Sequence, residues 1–145
     1  MVGDYGWKEK NINGKNMYIA IDFDGTCVTH DYPRIGKDIH AIPVLKRLVA
    51  NGHKLILNTM RSGDELADAI QWFIDNNIEL FGVNENPTQK SWTASPKVYA
   101  HMYVDDRGYG WHGSDDGHDP IFLLVLEEFL RKVCRFSKES AEFVR

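Results

Sequence analysis

Two aspartates one residue apart, Asp22 and Asp24, end an apolar run in Ile19-Ala20-Ile21-Asp22-Phe23-Asp24-Gly25-Thr26. Acids at this spacing can bind a hard cation, or divide the roles of nucleophile and proton donor. The same residues also suit an Asx-type turn, since Asp and Gly are ordinary turn formers. A second pair, Asp105-Asp106, follows Met102-Tyr103-Val104, and by itself it reads equally well as a solvated turn. Between the pairs, Thr59 closes a further apolar run and Arg61 follows it. Four carboxylates brought together would repel and shift one another's titration, and a divalent cation resolves that conflict. Oxygen ligands, with neither Cys nor His at zinc spacing, favour Mg²⁺.

Whether these groups meet depends on the elements that carry them. Met17 to Ile21 is short, continuous and apolar, as a buried strand is. Thr29 to Lys37 carries Pro33 and Gly36 and reads as a loop or small hairpin. Ala41 to Ala50 reads as a helix with Ile42, Leu45, Leu48 and Val49 on one side, stopped by Asn51-Gly52. Lys54 to Thr59 reads as a second buried strand. Ser62 and Glu65 have capping-box spacing for a helix whose inner face is Leu66, Ala69, Ile70, Phe73 and Ile74. Leu80 to Val83 is a short third strand, Asn84 to Lys97 a polar loop, and Met102 to Val104 a fourth strand. A glycine-rich loop from Gly108 to Gly117 and a last helix, capped at Asp119-Pro120 with apolar residues over Ile121 to Val133, complete the pattern. Strands alternating with helices imply right-handed crossovers and a parallel sheet covered on both faces. The expected fold is α/β, a three-layer Rossmann-like arrangement with a mostly parallel central sheet, over residues 17–134. An N-terminal arm, 1–16, and a C-terminal tail, 135–145, flank it. In such a sheet the carboxyl ends of the strands share one edge, where ligands bind. Asp22, Asp24, Thr59, Asp105 and Asp106 can therefore converge.

The bulk properties suit one domain with one core: 145 residues, 43% apolar and 26% charged. A formal charge of −4 with scattered Lys and Arg argues against a broad basic nucleic-acid surface, though not against a site for a single strand or a phosphate end. Cys27 and Cys134 form neither a metal spacing nor a disulfide framework, so reduced thiols in a cytoplasmic protein are expected. The polar opening, Met1 to Asn16, does not read as a secretory signal, so none is expected, and no apolar run approaches membrane-spanning length.

Asp22-Phe23-Asp24-Gly25-Thr26, Thr59 after an apolar strand, a downstream lysine, and Asp105-Asp106 after another strand resemble the motifs of the haloacid dehalogenase-like phosphohydrolases. The resemblance covers about Met17 to Val133. It implies that Asp22 is a nucleophile that becomes an aspartyl-phosphate. Asp24 would be the acid and base, its main-chain carbonyl also holding Mg²⁺, and Thr59 would hydrogen-bond a phosphate oxygen. Asp105 and Asp106 would complete the metal site with Asp22. The third-motif lysine is Lys97 or Lys90. Backbone N–H groups of the turn through Phe23, Gly25 and Thr26 can cradle the transferring oxygens, Gly25 permitting close approach. Met60, Arg61 and Arg34 stand on the substrate side, and His30 lies in the same loop as Arg34.

The implied activity is an Mg²⁺-dependent phosphatase acting on a phosphomonoester. A phosphotransferase of the same family, or a catalytically weak phosphate- and metal-binding module, are the alternatives. His112 and His118, with Asp115 and Asp116, sit in an irregular glycine-rich loop and read as solvated, while Trp111 could shield the site. The two places where larger family members insert a cap hold only short segments, so a capless domain is expected. An open site suits a phosphorylated small molecule, a nucleotide or a nucleic-acid end. It also suits a homo-oligomer in which a neighbouring subunit serves as lid.

Overall fold

The computed structural model of the protein describes residues 16–108. Four strands form one sheet: β1 (Tyr18–Ile21), β2 (Lys54–Leu57), β3 (Gly82–Val83) and β4 (Met102–Val104). The order is β3-β2-β1-β4 and every pairing is parallel. Two helices, α1 (Ala41–Ala50) and α2 (Gly63–Asp75), join them. The chain is thus an α/β protein with a parallel central sheet. Residues 1–15 of the expected N-terminal arm, the glycine-rich loop from residue 109 onward, the last helix and the tail lie outside the described residues. Among the described residues, no helix is long and apolar enough to cross a membrane.

The sheet sorts its side chains by the two-residue period of a strand. Ile19 and Ile21 of β1 are in register with Leu55 and Leu57 of β2, and with Met102 and Val104 of β4. All six face α1 and α2. Tyr18, Ala20 and Ile56 point the other way, into a smaller cluster with Phe81, Val98, Tyr99 and Ala100. Both described helices lie on the first face. Full burial of a side chain such as Phe73 or Leu45 is worth roughly 1.5–3 kcal/mol, so this face supplies most of the described core.

Each helix starts and stops for local reasons. The Asp38 carboxylate accepts hydrogen bonds from the main-chain N–H groups of His40, Ala41 and Ile42, satisfying the donors that open α1. Gly52, at φ 94°, donates to the Val49 carbonyl and turns the chain into β2. α2 departs from expectation at its start. Ser62 occupies the N-cap position, but its side chain makes no capping bond. Asp64 and Glu65 supply the favourable charge in the first turn instead. Ile74 is also solvent-exposed rather than inward. The buried stripe leans toward Trp72, whose ring meets Phe23 and Phe73 edge-on. Asn77, at φ 57°, ends the helix, and Ile78 N–H returns to the Phe73 carbonyl.

Thr29 to Lys37 forms a small hairpin. Thr29 N–H donates to the Lys37 carbonyl, and Val28 bridges Asp38 antiparallel. The expected third strand is shorter than Leu80 to Val83. Beyond it the polar loop folds into a short 3₁₀ turn at Gln89–Ser91.

Candidate functional site at the carboxyl edge of the sheet

β1 and β4 end side by side, and Asp22 N–H donates to the Val104 carbonyl at 2.9 Å. That bond brings Asp22 beside Asp105 and Asp106. Carboxylate oxygens from the three lie within 4.8 Å of one another. Thr26, fully buried, ties them together. Its hydroxyl accepts from Asp106 N–H at 3.2 Å and lies 3.4 Å from both Asp22 Oδ2 and Asp106 Oδ1, so its one proton is shared between the two acids. Burial pushes the Asp22 carboxyl up from 3.8 to about 8, with the charges of Asp105 and Asp106 adding to it. Phe23 N–H opposes this rise. Such an all-oxygen set, forced together and short of positive charge, fits a hard divalent cation such as Mg²⁺.

Asp24 has a different partner. Arg61 Nε donates to Asp24 Oδ2 and Nη2 to Asp24 Oδ1, both at 2.8 Å. Nη2 also donates to the Arg34 carbonyl at 2.6 Å, and Nη1 to the carbonyls of Pro33 and Glu65 at 3.1 and 3.2 Å. All five guanidinium donors are therefore used. The Arg61 side chain is 1% exposed and is stacked between Phe23 and Tyr32, 5.2 and 5.1 Å from the ring centroids. Arg61 is expected on the substrate side, and its donors are already taken within the protein. Arg61 instead locks Asp24 to the hairpin and to the start of α2.

One pocket of about 530 Å³ gathers most of the expected residues. Asp22, Asp24, Thr59, Met60, Arg61, Asp105 and Asp106 line it, together with His30, Tyr32 and Arg107. The Thr59 main chain is held by Asn84, whose Oδ1 accepts from Thr59 N–H at 2.8 Å. The Thr59 hydroxyl accepts from Arg61 N–H, leaving its proton for a ligand. His30 Nε2 lies 2.8 Å from Asp106 Oδ2. Met60 is 98% exposed at the mouth.

Other expected residues stand elsewhere. Lys90 pairs with Glu85 at 3.4 Å, and Lys97 Nζ lies over the Tyr103 ring; neither lines the pocket. Arg34 pairs with Asp31 on the exposed side of the hairpin and contributes only its carbonyl, to Arg61. The Phe23 side chain is core, against Phe73 and Trp72. Cys27 donates its thiol to the Asp22 carbonyl at 3.4 Å, and burial raises its pKa well above normal, so it is no nucleophile. Cys134, His112, His118, Asp115, Asp116 and Trp111 lie outside the described residues. Sequence reasoning missed Arg107, Tyr32 and Asn84. Arg107 directly follows the acid pair, which was a usable signal. Tyr32 and Asn84 carried none.

Gly25 sits at φ 81°, and a Cβ there would fall on the His30 imidazole and the Asp106 carboxylate. Gly25→Ala is therefore expected to destabilise the fold by roughly 1–2 kcal/mol from the backbone alone, besides displacing Asp106. Urea unfolding checks this. A variant as stable as the parent would contradict the tight approach.

No family model matches the chain, and no curated protein matches it. Among solved structures, a conserved protein coded by a locus from Bacteroides thetaiotaomicron is similar, with 36% sequence identity and a TM-score of 0.67. The match covers 79% of this chain and 92% of that one. Identity at this level over nearly the whole of the second chain is shared ancestry, and the protein belongs to the same family as this conserved Bacteroides protein.

Proposed function

We propose that the protein is an Mg²⁺-dependent phosphomonoesterase working through an aspartyl-phosphate on Asp22. The observation that carries this reading is the convergence of Asp22, Asp105 and Asp106 within 4.8 Å, in one pocket with the Thr59 hydroxyl. The motif order that resembles the haloacid dehalogenase-like phosphohydrolases supports it. The two segments after β1 and β2 are short and hold no folded cap among the described residues, in keeping with a capless member of that family. A cytoplasmic setting belongs to the same reading, with Cys27 a free thiol.

A carboxylate attacks a dianionic phosphate poorly unless its repulsion is offset, and a bound Mg²⁺ supplies that offset. The Asp22 carboxylate attacks phosphorus, the ester P–O bond breaks, and the leaving oxygen takes a proton. Water then attacks the acyl phosphate, releasing inorganic phosphate and restoring Asp22. Thr59 donates its hydroxyl proton to a phosphoryl oxygen. Arg107, an exposed guanidinium in the pocket, provides a planar fork for the remaining oxygens, the service assigned in the sequence to Lys97 or Lys90. Its main chain is fixed for this by Asp105, whose Oδ1 accepts Arg107 N–H at 2.8 Å. Asp24 faces the same pocket as acid and base, but giving up or accepting a proton requires one oxygen to part from Arg61.

A phosphotransferase of the same family would need the same proton transfer at Asp24, from an alcohol instead of water. Product analysis with added alcohol separates transfer from hydrolysis. The primary test is a panel of phosphate esters with Mg²⁺, comparing the parent with Asp22→Asn. No Mg²⁺-dependent phosphate release by the parent would end the reading.

Cation binding should also depend on pH. Below about pH 8 the cation must displace a proton from Asp22. Apparent Mg²⁺ affinity is expected to climb about tenfold per pH unit toward that value and then level off. Calorimetry in two buffers of different ionisation enthalpy should show about one proton released per ion at neutral pH. Affinity that is flat from pH 6 to 8 would contradict it.

A further inference from the structure

We infer that the outer wall of the pocket is a ring-binding subsite, and that the substrate is a phosphomonoester whose body carries a planar aromatic ring, of the nucleoside 5′-monophosphate class. This rests on the phosphomonoesterase reading and narrows it. Large hydrophobic side chains exposed among the described residues are Tyr32, Met60, Ile74 and Tyr103, and the first two line this one pocket. Single exposed apolar residues are ordinary, but two on the wall of a charged pocket mark a place for an apolar group.

Tyr32 is a prepared platform. One face of its ring rests on the Arg61 guanidinium, at 5.1 Å, yet the residue remains 60% exposed. Arg61 is 1% exposed, so the surface that Tyr32 offers solvent is away from that cation. The hairpin carrying it is pinned by the bonds from Arg61 to the Pro33 and Arg34 carbonyls. A ring stacking there extends the column Phe23–Arg61–Tyr32 by one layer. Met60, 98% exposed, offers a flexible thioether to the same ring. A volume of about 530 Å³ falls in the range of pockets that take a whole organic ligand, beyond a phosphate alone.

Ribose 5-phosphate and a nucleoside 5′-monophosphate share the leaving oxygen and differ by the base. The parent is expected to prefer the nucleotide in kcat/KM by roughly tenfold or more, the scale of base stacking on an aromatic side chain. Tyr32→Ala should bring the ratio near one, Met60→Ala should lower it less, and Tyr32→Phe should restore it. Ribose 5-phosphate is measured in each variant, so that the ratio of the two ligands, and not the absolute rate, reads the subsite. Calorimetry of both ligands on Asp22→Asn protein gives the same ratio without turnover. Equal values for the two ligands in the parent, or a ratio unmoved in both alanine variants, would overturn the subsite. Hydrolysis of neither ligand by a protein that hydrolyses other phosphomonoesters would overturn it too. Absence of any Mg²⁺-dependent hydrolysis would remove the phosphomonoesterase reading instead, and the binding ratio would still decide the subsite.

Discussion

Asp22→Asn is expected to abolish Mg²⁺-dependent phosphate release, by about four orders of magnitude or more, while stabilising the metal-free protein at neutral and alkaline pH. The first half follows from removal of the nucleophile. The second follows from the raised carboxyl. Between pH 3.8 and about 8 the unfolded chain has released the Asp22 proton and the folded chain keeps it. The folded state then binds more protons, so stability falls as pH rises through that window. Above it, the folded protein holds an ionised carboxylate beside Asp105 and Asp106. Asparagine removes that cost.

His53 contributes the opposite slope. Burial, with His101 adding to it, lowers its pKa from 6.5 to about 4. Its share of stability is present above 6.5 and is lost as pH falls toward 4. Comparing parent and variant in the same buffers cancels His53 and leaves Asp22. Urea unfolding at pH 5, 7 and 9 without divalent ions should show the two proteins diverging with pH. Parallel curves would sink the electrostatic account.

Arg61→Ala is expected to cost about 3–5 kcal/mol, the scale of breaking a buried ion pair from one side. The Asp24 carboxylate, 17% exposed, loses both partners. The carbonyls of Pro33, Arg34 and Glu65 lose theirs as well, and Tyr32 and Phe23 lose the cation between them. Arg61→Lys should rescue little, because one ammonium cannot reach acceptors from three segments. Arg61→Met combined with Asp24→Asn should recover part of the loss, since removing both charges leaves neither stranded. Denaturant titration of the four proteins reads this directly. A loss under about 1 kcal/mol in Arg61→Ala would show that the clamp holds little.

The elements and the acidic edge were legible because their signals are local. The apolar run before Asp22, the spacing of Leu45 and Leu48 ahead of Asn51-Gly52, and the run before Asp105 each lie within one short window. A parallel sheet then brings Asp22, Thr59 and Asp105 to one edge without further information. Arg61 was not legible in the same way. Its acceptors come from residues 24, 33, 34 and 65, and whether a guanidinium is saturated depends on where all of them arrive. The placement of the two lysines was not legible for a related reason. The loop after β3 closes on itself through side-chain amides: Asn86 donates to the Tyr99 carbonyl, and Gln89 donates to the carbonyls of Ser95 and Lys97. That closure leaves Lys90 with Glu85 and Lys97 with Tyr103. Which side of such a loop a cation occupies is a property of its internal bonds, not of its distance along the chain.

Arg61 grips the hairpin through main-chain carbonyls, and those are the same for every amino acid. Side chains on the hairpin can therefore change while the bonds that hold its backbone to Asp24 remain. A lineage could exchange Tyr32 for another residue, altering what the pocket accepts, and still inherit the acid in place. Lengthening the hairpin is another matter, because an inserted residue would move the carbonyls of Pro33 and Arg34 away from the guanidinium. The clamp thus leaves this loop free to vary in sequence and bound in length, so new preferences are reached by substitution more readily than by growth of a cap.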